Sequence, residues 1–133
     1  KVERMSTLFA DEKLMIRDMA RKFAEEELLP NSEEWDQTSH FPVDVIRKAA
    51  ELGFASIYVK EDVGGAGLTR TDAALIFEQL AYGDVSTAAF ISIHNMASWM
   101  IDTFGSNAQR QEWLPRLTST ELIASYCPTC RSD

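Results

Sequence analysis

The sequence predicts an all-α fold of about five helices, with one strand at the end of the chain. Three observations carry that prediction. Apolar residues recur at helical spacing in five separate stretches. Gly, Pro and short polar residues punctuate those stretches where helices start and stop. Alternation of apolar and polar residues follows at Leu122–Tyr126, the pattern of a strand.

The first helix is expected from about Asp11 to Leu29. Leu14, Ile16, Met19, Ala20 and Phe23 share its apolar face, Asp11 and Glu12 suit its positive end, and Pro30 interrupts it. Asn31 with Glu34 has the form of a capping pair for a short extra turn around Trp35. A second helix opens at Pro42, an allowed first-turn proline, and stops at Gly53. Phe54–Val59 suits an extended segment, and Lys60–Leu68, with Gly64-Gly65-Ala66-Gly67, is a loop. The third helix covers about Thr71–Tyr82, with Thr69 or Thr71 as its cap and Gly83 as its stop. The fourth spans Val85–Phe104, between Asp84 as N-cap and Gly105 as C-cap. Ser106 with Gln109 makes a capping box for the fifth, which Pro115 bends or ends. A lone strand at Leu122–Tyr126 has no visible partner for its backbone, so the chain reads as cut at the start of a second domain. The division expected is a helical domain over 1–120 and the start of a β domain over 121–133. A chain that opens on Lys1-Val2-Glu3-Arg4, without Met, reads as processed or as a fragment.

The 133 residues carry 13 Lys and Arg against 21 Asp and Glu, a net charge of −8. That balance argues against nucleic acid and anionic membrane as partners. Two cysteines three positions apart, Cys127 and Cys130, cannot build a disulfide framework, which excludes a small secreted stapled fold. From Ala73 to Gln109 there is no Lys or Arg, and the only formal charges are Glu78, Asp84 and Asp102. A stretch so poor in charge is expected to be covered. The Val85–Phe104 segment within it is long enough to span a bilayer, but Ser86, Ser92, His94, Asn95 and Ser98 argue against a membrane span. It reads instead as a central helix packed on every side, whose polar interruptions either sit in the core or face a ligand pocket.

Few residues suggest chemistry on their own. His94 has no second metal-ligand type at i+3 or i+4 and reads as a hydrogen-bonded core histidine. The Gly64–Gly67 run lacks the ending of a P-loop and the spacing of a dinucleotide fingerprint. Cys127-Pro128-Thr129-Cys130 lacks the following helix of a redox motif and the further ligands of a zinc site. Glu33/Glu34 and Glu61/Asp62 read as solvated loop charges. No nucleophile, base and orienter can be assembled, and no metal site is expected.

An ordered series of short motifs resembles a known family. It runs Leu29-Pro30, Glu34-Trp35-Asp36, Phe41-Pro42, Leu52-Gly53-Phe54, Asp62 through Leu68, and Phe77-Glu78-Gln79-Leu80-Ala81. It continues through Phe104-Gly105, Gln109-Arg110, Trp113 through Leu117, and Glu121-Leu122-Ile123-Ala124. From about Phe9 to Thr129 the chain resembles the N-terminal helical domain of acyl-CoA dehydrogenases. Ile91 through Met96, with Trp99-Met100-Ile101-Asp102, is most similar to the branch that acts on a short branched acyl-CoA in valine breakdown.

The resemblance implies a flavoprotein of three domains, helical, β and helical, usually a homotetramer, in fatty acid or branched-chain metabolism. Its FAD oxidises an acyl-CoA thioester to the 2,3-enoyl-CoA. A glutamate removes the α proton while the β hydrogen leaves as hydride, and the electrons pass to electron-transferring flavoprotein. The mitochondrial matrix is implied for a eukaryote and the cytoplasm for a bacterium. The catalytic glutamate belongs to the family's last domain and lies beyond Asp133. The resemblance puts Ala88, Ser92 and Met96, spaced i, i+4, i+8, along the acyl pocket. Tyr126, Cys127 and Thr129 match the start of the family's flavin segment, and Ser132 its substrate-side end. After Thr129 the chain departs from the family: Cys130-Arg131-Ser132-Asp133 either replaces its Glu-Pro-Gly stretch or, after a three-residue loss, ends in the motif's Ser132-Asp133. The chain alone is therefore expected neither to hold flavin tightly nor to turn over acyl-CoA. A non-catalytic module that associates with full-length flavoenzyme subunits is the alternative.

Overall fold

The computed structural model describes residues 2–126, with side chains from Asp11 onward. Six α-helices follow in order: α1 (Val2–Phe23), α2 (Ser32–Thr38), α3 (Val43–Glu51), α4 (Arg70–Gly83), α5 (Val85–Phe104) and α6 (Asn107–Thr118). Helix α4 lies between α1 and α5, and α6 packs on the far side of α5. The described residues contain no strand.

The N-terminal helix starts earlier than its apolar pattern suggested, at Val2, and its α-helical ladder ends before Pro30. From Ala24 to Leu28 the chain widens into a π turn, closed by the Leu29 N–H on Ala24 O at 2.9 Å. The end of α4 lies against this turn. A Cβ on Gly83 would stand 2.7 Å from Leu28 Cβ and 2.8 Å from Ala24 O. Asn31 does not cap α2 with its side chain; its amide donates to Glu27 O at 3.0 Å instead. Pro42 sits one place outside α3, as the N-cap, and its carbonyl accepts the Ile46 N–H.

Residues 54–59 are buried turns, not an extended segment. They fold back on the loop that follows. Ala66, Leu68 and Gly67 donate their N–H groups to the carbonyls of Ser56, Ile57 and Val59 at 2.8–2.9 Å. Gly65 makes that approach possible, since a Cβ there would fall 2.0 Å from Val59 O. Capping boxes open α4 (Thr69 with Asp72) and α6 (Ser106 with Gln109). Pro115 is carried inside α6 without ending it. Both Pro115 and Gln111, whose carbonyl loses its donor, are exposed to water.

The expected strand at Leu122–Tyr126 is absent. The Leu122 N–H goes to Arg116 O and the Ala124 N–H to His94 Nδ1, both at 3.0 Å, so this segment is bound to α6 and α5 rather than to a strand partner. The main core joins Phe23, Leu28, Phe54, Ile57, Ile76, Leu80 and Ile91. A smaller one joins Val59, Val63, Leu114 and Leu117, with Leu122 and Ala124 against it.

Candidate functional site

Helix α5 organises the site. It is not covered on every side. Thr87, Ala88, Ile91, His94, Asn95, Ala97, Ser98 and Asp102 face inward. Val85, Met100 and Phe104 are 69%, 42% and 75% exposed on the other side, where Ala89 also stands open. Between them lie half-buried Ser92, Ile93 and Met96.

Ala88, Ser92 and Met96 do not share one environment. Each step of four residues advances about 40° around an α-helix. Ala88 is therefore 5% exposed, in the main core, while Ser92 and Met96 emerge toward the open face. A cleft of about 310 Å³ reaches α5 from its N-terminal end, between Trp35, His40 and Phe41 on one wall and Ser86, Thr87 and Phe90 on the other. Phe41 and Phe90 meet edge to face there, with centroids 4.7 Å apart. A shallower groove of about 390 Å³ runs along Met100, Phe104 and Trp113.

The buried polar residues of α5, His94, Asn95, Ser98 and Asp102, are engaged with neighbouring backbone, with their own helix or with Arg110. Asn95 is fully buried; its Oδ1 accepts the Ile57 N–H at 2.7 Å, and its amide donates to Phe54 O and Ile91 O. His94 Nε2 lies 3.0 Å from Leu117 O, and Ser98 Oγ donates to His94 O. Asp102 accepts from the Lys60 N–H and from the Arg110 guanidinium, at 2.8 Å for the latter.

Arg110 also grips Asp62 at 2.9 Å, so Asp62 is not simply a solvated loop charge. The Arg110 hydrogen bond holds its carboxyl below the usual carboxylate range. Sequence reasoning missed this cluster, whose members are brought together only by folding. It also missed Arg70, which lies 4.1 Å from the ring centre of Tyr58 and 4.8 Å from that of Trp99. No short-range pattern marks either.

Of the residues matched to a flavin segment, Tyr126 is 37% exposed, two positions beyond the Ala124 tether. Cys127, Thr129 and Ser132 lie outside the described residues. Among the described residues no helix is long and apolar enough to cross a membrane.

The described helices form a layer that leaves one apolar face of the central α5 open. The family model for the acyl-CoA dehydrogenase N-terminal domain matches residues 10–121, and the chain belongs to that family. It is 55% identical over 119 residues to the mitochondrial isobutyryl-CoA dehydrogenase of Dictyostelium discoideum, covering 90% of this chain and 29% of that protein. With the mitochondrial isobutyryl-CoA dehydrogenase of Bos taurus it shares 52% over 120 residues, again 90% of this chain and 29% of the relative. Among solved structures it resembles a glutaryl-CoA dehydrogenase from Mycobacterium smegmatis in complex with FADH2. There the TM-score is 0.79 at 27% identity, over 84% of this chain and 29% of that one. The chain thus spans under a third of the length of these relatives.

Proposed function

We propose that this chain is the N-terminal helical part of a flavin-dependent acyl-CoA dehydrogenase. Its substrate is a short branched acyl-CoA of the isobutyryl-CoA type, oxidised to the 2,3-enoyl-CoA. The observation that carries the reading is the 55% and 52% identity to two isobutyryl-CoA dehydrogenases across 90% of the chain. Helix α5 contributes a wall of the acyl pocket through Ser92 and Met96, with Ala88 behind them in the core. A half-buried Met96 is a flexible filler that suits a short acyl group. The open face of α5 would exclude water from that group once covered, which strengthens every polar contact to the thioester.

FAD is the cofactor of the proposal. Tyr126 fits one wall of such a site: its ring is part-exposed on a segment tethered at Ala124. Cys127, Thr129 and Ser132 join it on sequence grounds. FAD supplies the hydride acceptor for the β hydrogen; the residues of this chain bind and orient. Electron-transferring flavoprotein as electron acceptor, a homotetramer and a mitochondrial location belong to the same proposal. The second reading is a module that associates with full-length subunits without catalysis. The family's Glu-Pro-Gly stretch, missing where this chain has Cys130-Arg131-Ser132-Asp133, favours it.

The test is an enzyme carrying this segment, purified and given isobutyryl-CoA and straight-chain acyl-CoAs without acceptor. Fastest bleaching of the flavin absorption by isobutyryl-CoA is expected. Preference for an unbranched chain overturns the substrate assignment. A colourless protein that co-purifies with another flavoenzyme supports the second reading.

A further inference from the structure

The imidazole of His94 joins three elements. It projects from α5, is 1% exposed, and reaches the last turn of α6 through Leu117 O and the segment after α6 through the Ala124 N–H, both at 3.0 Å. The two partners fix the ring's protonation. A carbonyl oxygen only accepts, so Nε2 carries the proton. A backbone N–H only donates, so Nδ1 is bare. The ring is the neutral Nε2–H tautomer.

We propose that His94 is a positioning residue, a proton-sensitive clamp that ties the segment leading to Tyr126 onto the helix carrying Ser92 and Met96. A second proton on Nδ1 would occupy the lone pair that Ala124 uses and set N–H against N–H. The Leu117 bond survives that protonation; the Ala124 bond does not. Opening is therefore directional: it frees the chain after Leu122 and leaves α5 and α6 joined.

The surrounding charges do not offset such a proton. On α5, Asp102 is committed to Lys60 and Arg110, and Asp84 to the Thr87 N–H. On α6 and just after it, Arg116 is paired with Glu121. In the loop, Arg110 holds Asp62, and Glu61 is exposed. On α4, Asp72 is bonded to Lys13 and Thr69, Glu78 is exposed, and Arg70 is stacked on aromatic rings. Among the described residues no carboxylate is bonded to the imidazole. Burial holds the ring's pKa below the ordinary histidine value, against the pull of the Leu117 carbonyl. The clamp is closed at neutral pH and opens on acidification, below the ordinary histidine range.

The clamp itself is independent of the proposed activity. Only its role in presenting Tyr126 to a flavin rests on that reading.

The test is amide hydrogen exchange read by NMR on the whole 133-residue chain, from pH 7.5 to pH 4.5, corrected for intrinsic exchange. The reporters are the Ala124 and Ile57 amides; Ile57 is held by Asn95, which does not titrate. The expected result is at least a tenfold loss of protection at Ala124 as pH falls, with Ile57 unchanged. His94→Asn places an amide oxygen near the Nδ1 position and should keep Ala124 protected at every pH. His94→Gln reaches only the Nε2 position and should leave Ala124 unprotected at every pH. The clamp is overturned if Ala124 protection does not change with pH in the unsubstituted chain. It is equally overturned if Ala124 and Ile57 lose protection together, or if the Asn and Gln variants behave alike.

Discussion

Asn95 closes a bond across 38 residues of chain: its Oδ1 accepts the Ile57 N–H at 2.7 Å, with both residues shut off from solvent. The same amide group donates to Phe54 O at 2.7 Å. One side chain thus pins the buried turns between α3 and α4 onto α5.

Asn95→Leu keeps the volume and removes the pairing. Ile57 N–H and Phe54 O are then buried without partners, at about 1–3 kcal/mol each. A destabilisation of about 3 kcal/mol is expected in urea unfolding of the chain. A loss under about 1 kcal/mol would show that the turns are held by packing alone.

The two carboxylates on Arg110 should not be equivalent. The Asp102 side chain is 3% exposed and that of Asp62 is 55% exposed, while Arg110 is 13% exposed. Asp102→Asn removes the buried carboxylate and leaves the guanidinium only the exposed Asp62, so it should lower stability more than Asp62→Asn does. Equal costs from the same denaturation experiment contradict this ordering.

Gly83→Ala sets two effects against each other. Alanine favours a helix over glycine by about 1 kcal/mol. The new Cβ, however, would lie 2.7 Å from Leu28 Cβ and 2.8 Å from Ala24 O. Overpacking against backbone costs about 1–3 kcal/mol, so the net change should be destabilising. A higher Tm for this variant would show that the π turn can move away.

Asp72 supplies a pH dependence. Burial would raise its pKa, but Lys13 at 2.7 Å and the donors of Thr69 outweigh that and hold it below the ordinary value. The folded pKa lies below the unfolded one, so the stabilisation is present above about pH 4 and fades as pH falls further. Asp72→Asn should lower stability at pH 7, and its difference from the parent should shrink as pH falls below about 4. Parallel curves across that range would assign the Asp72 contribution to packing.

In an enzyme carrying this segment, Met96→Ala should shift preference toward longer acyl chains, because it empties the half-buried end of the α5 stripe. A tenfold change in the ratio of kcat/KM values corresponds to about 1.4 kcal/mol, within reach of one side chain of this size. An unchanged chain-length profile removes Met96 from the pocket.

What the sequence revealed was whatever its neighbours decide locally. The bounds of α5 follow from Asp84 and Gly105, and the start of α6 from Ser106 with Gln109, because a cap acts within one turn. The π turn at Ala24 was not legible, since the glycine packed against it is Gly83, far along the chain. His94 is the hydrogen-bonded core histidine that its lone position on the helix suggested, but its partners, and the direction of Asn95 and Asp102, were not legible. A polar residue on an apolar helix looks the same whether it meets a ligand or a stray backbone donor, and here the donors come from Ile57, Lys60 and Ala124. Alternation at Leu122–Tyr126 suggested a strand, but alternation reports one-sided burial, and α6 provides that surface here.

Asp84 belongs to two helices at once. Its N–H donates to Leu80 O at 3.0 Å, closing α4, and its Oδ2 accepts the Thr87 N–H at 2.7 Å, opening α5. The corner has no spare residue to absorb a change of length. One inserted residue would spin α5 by about 100° against α4, taking Asn95 away from Ile57 and Ser92 away from the open face. Insertions and deletions, which surface connections such as Ser39–Phe41 accommodate, are barred here. The spacing between Leu80 and Thr87 is as much a part of the site as any side chain that lines it.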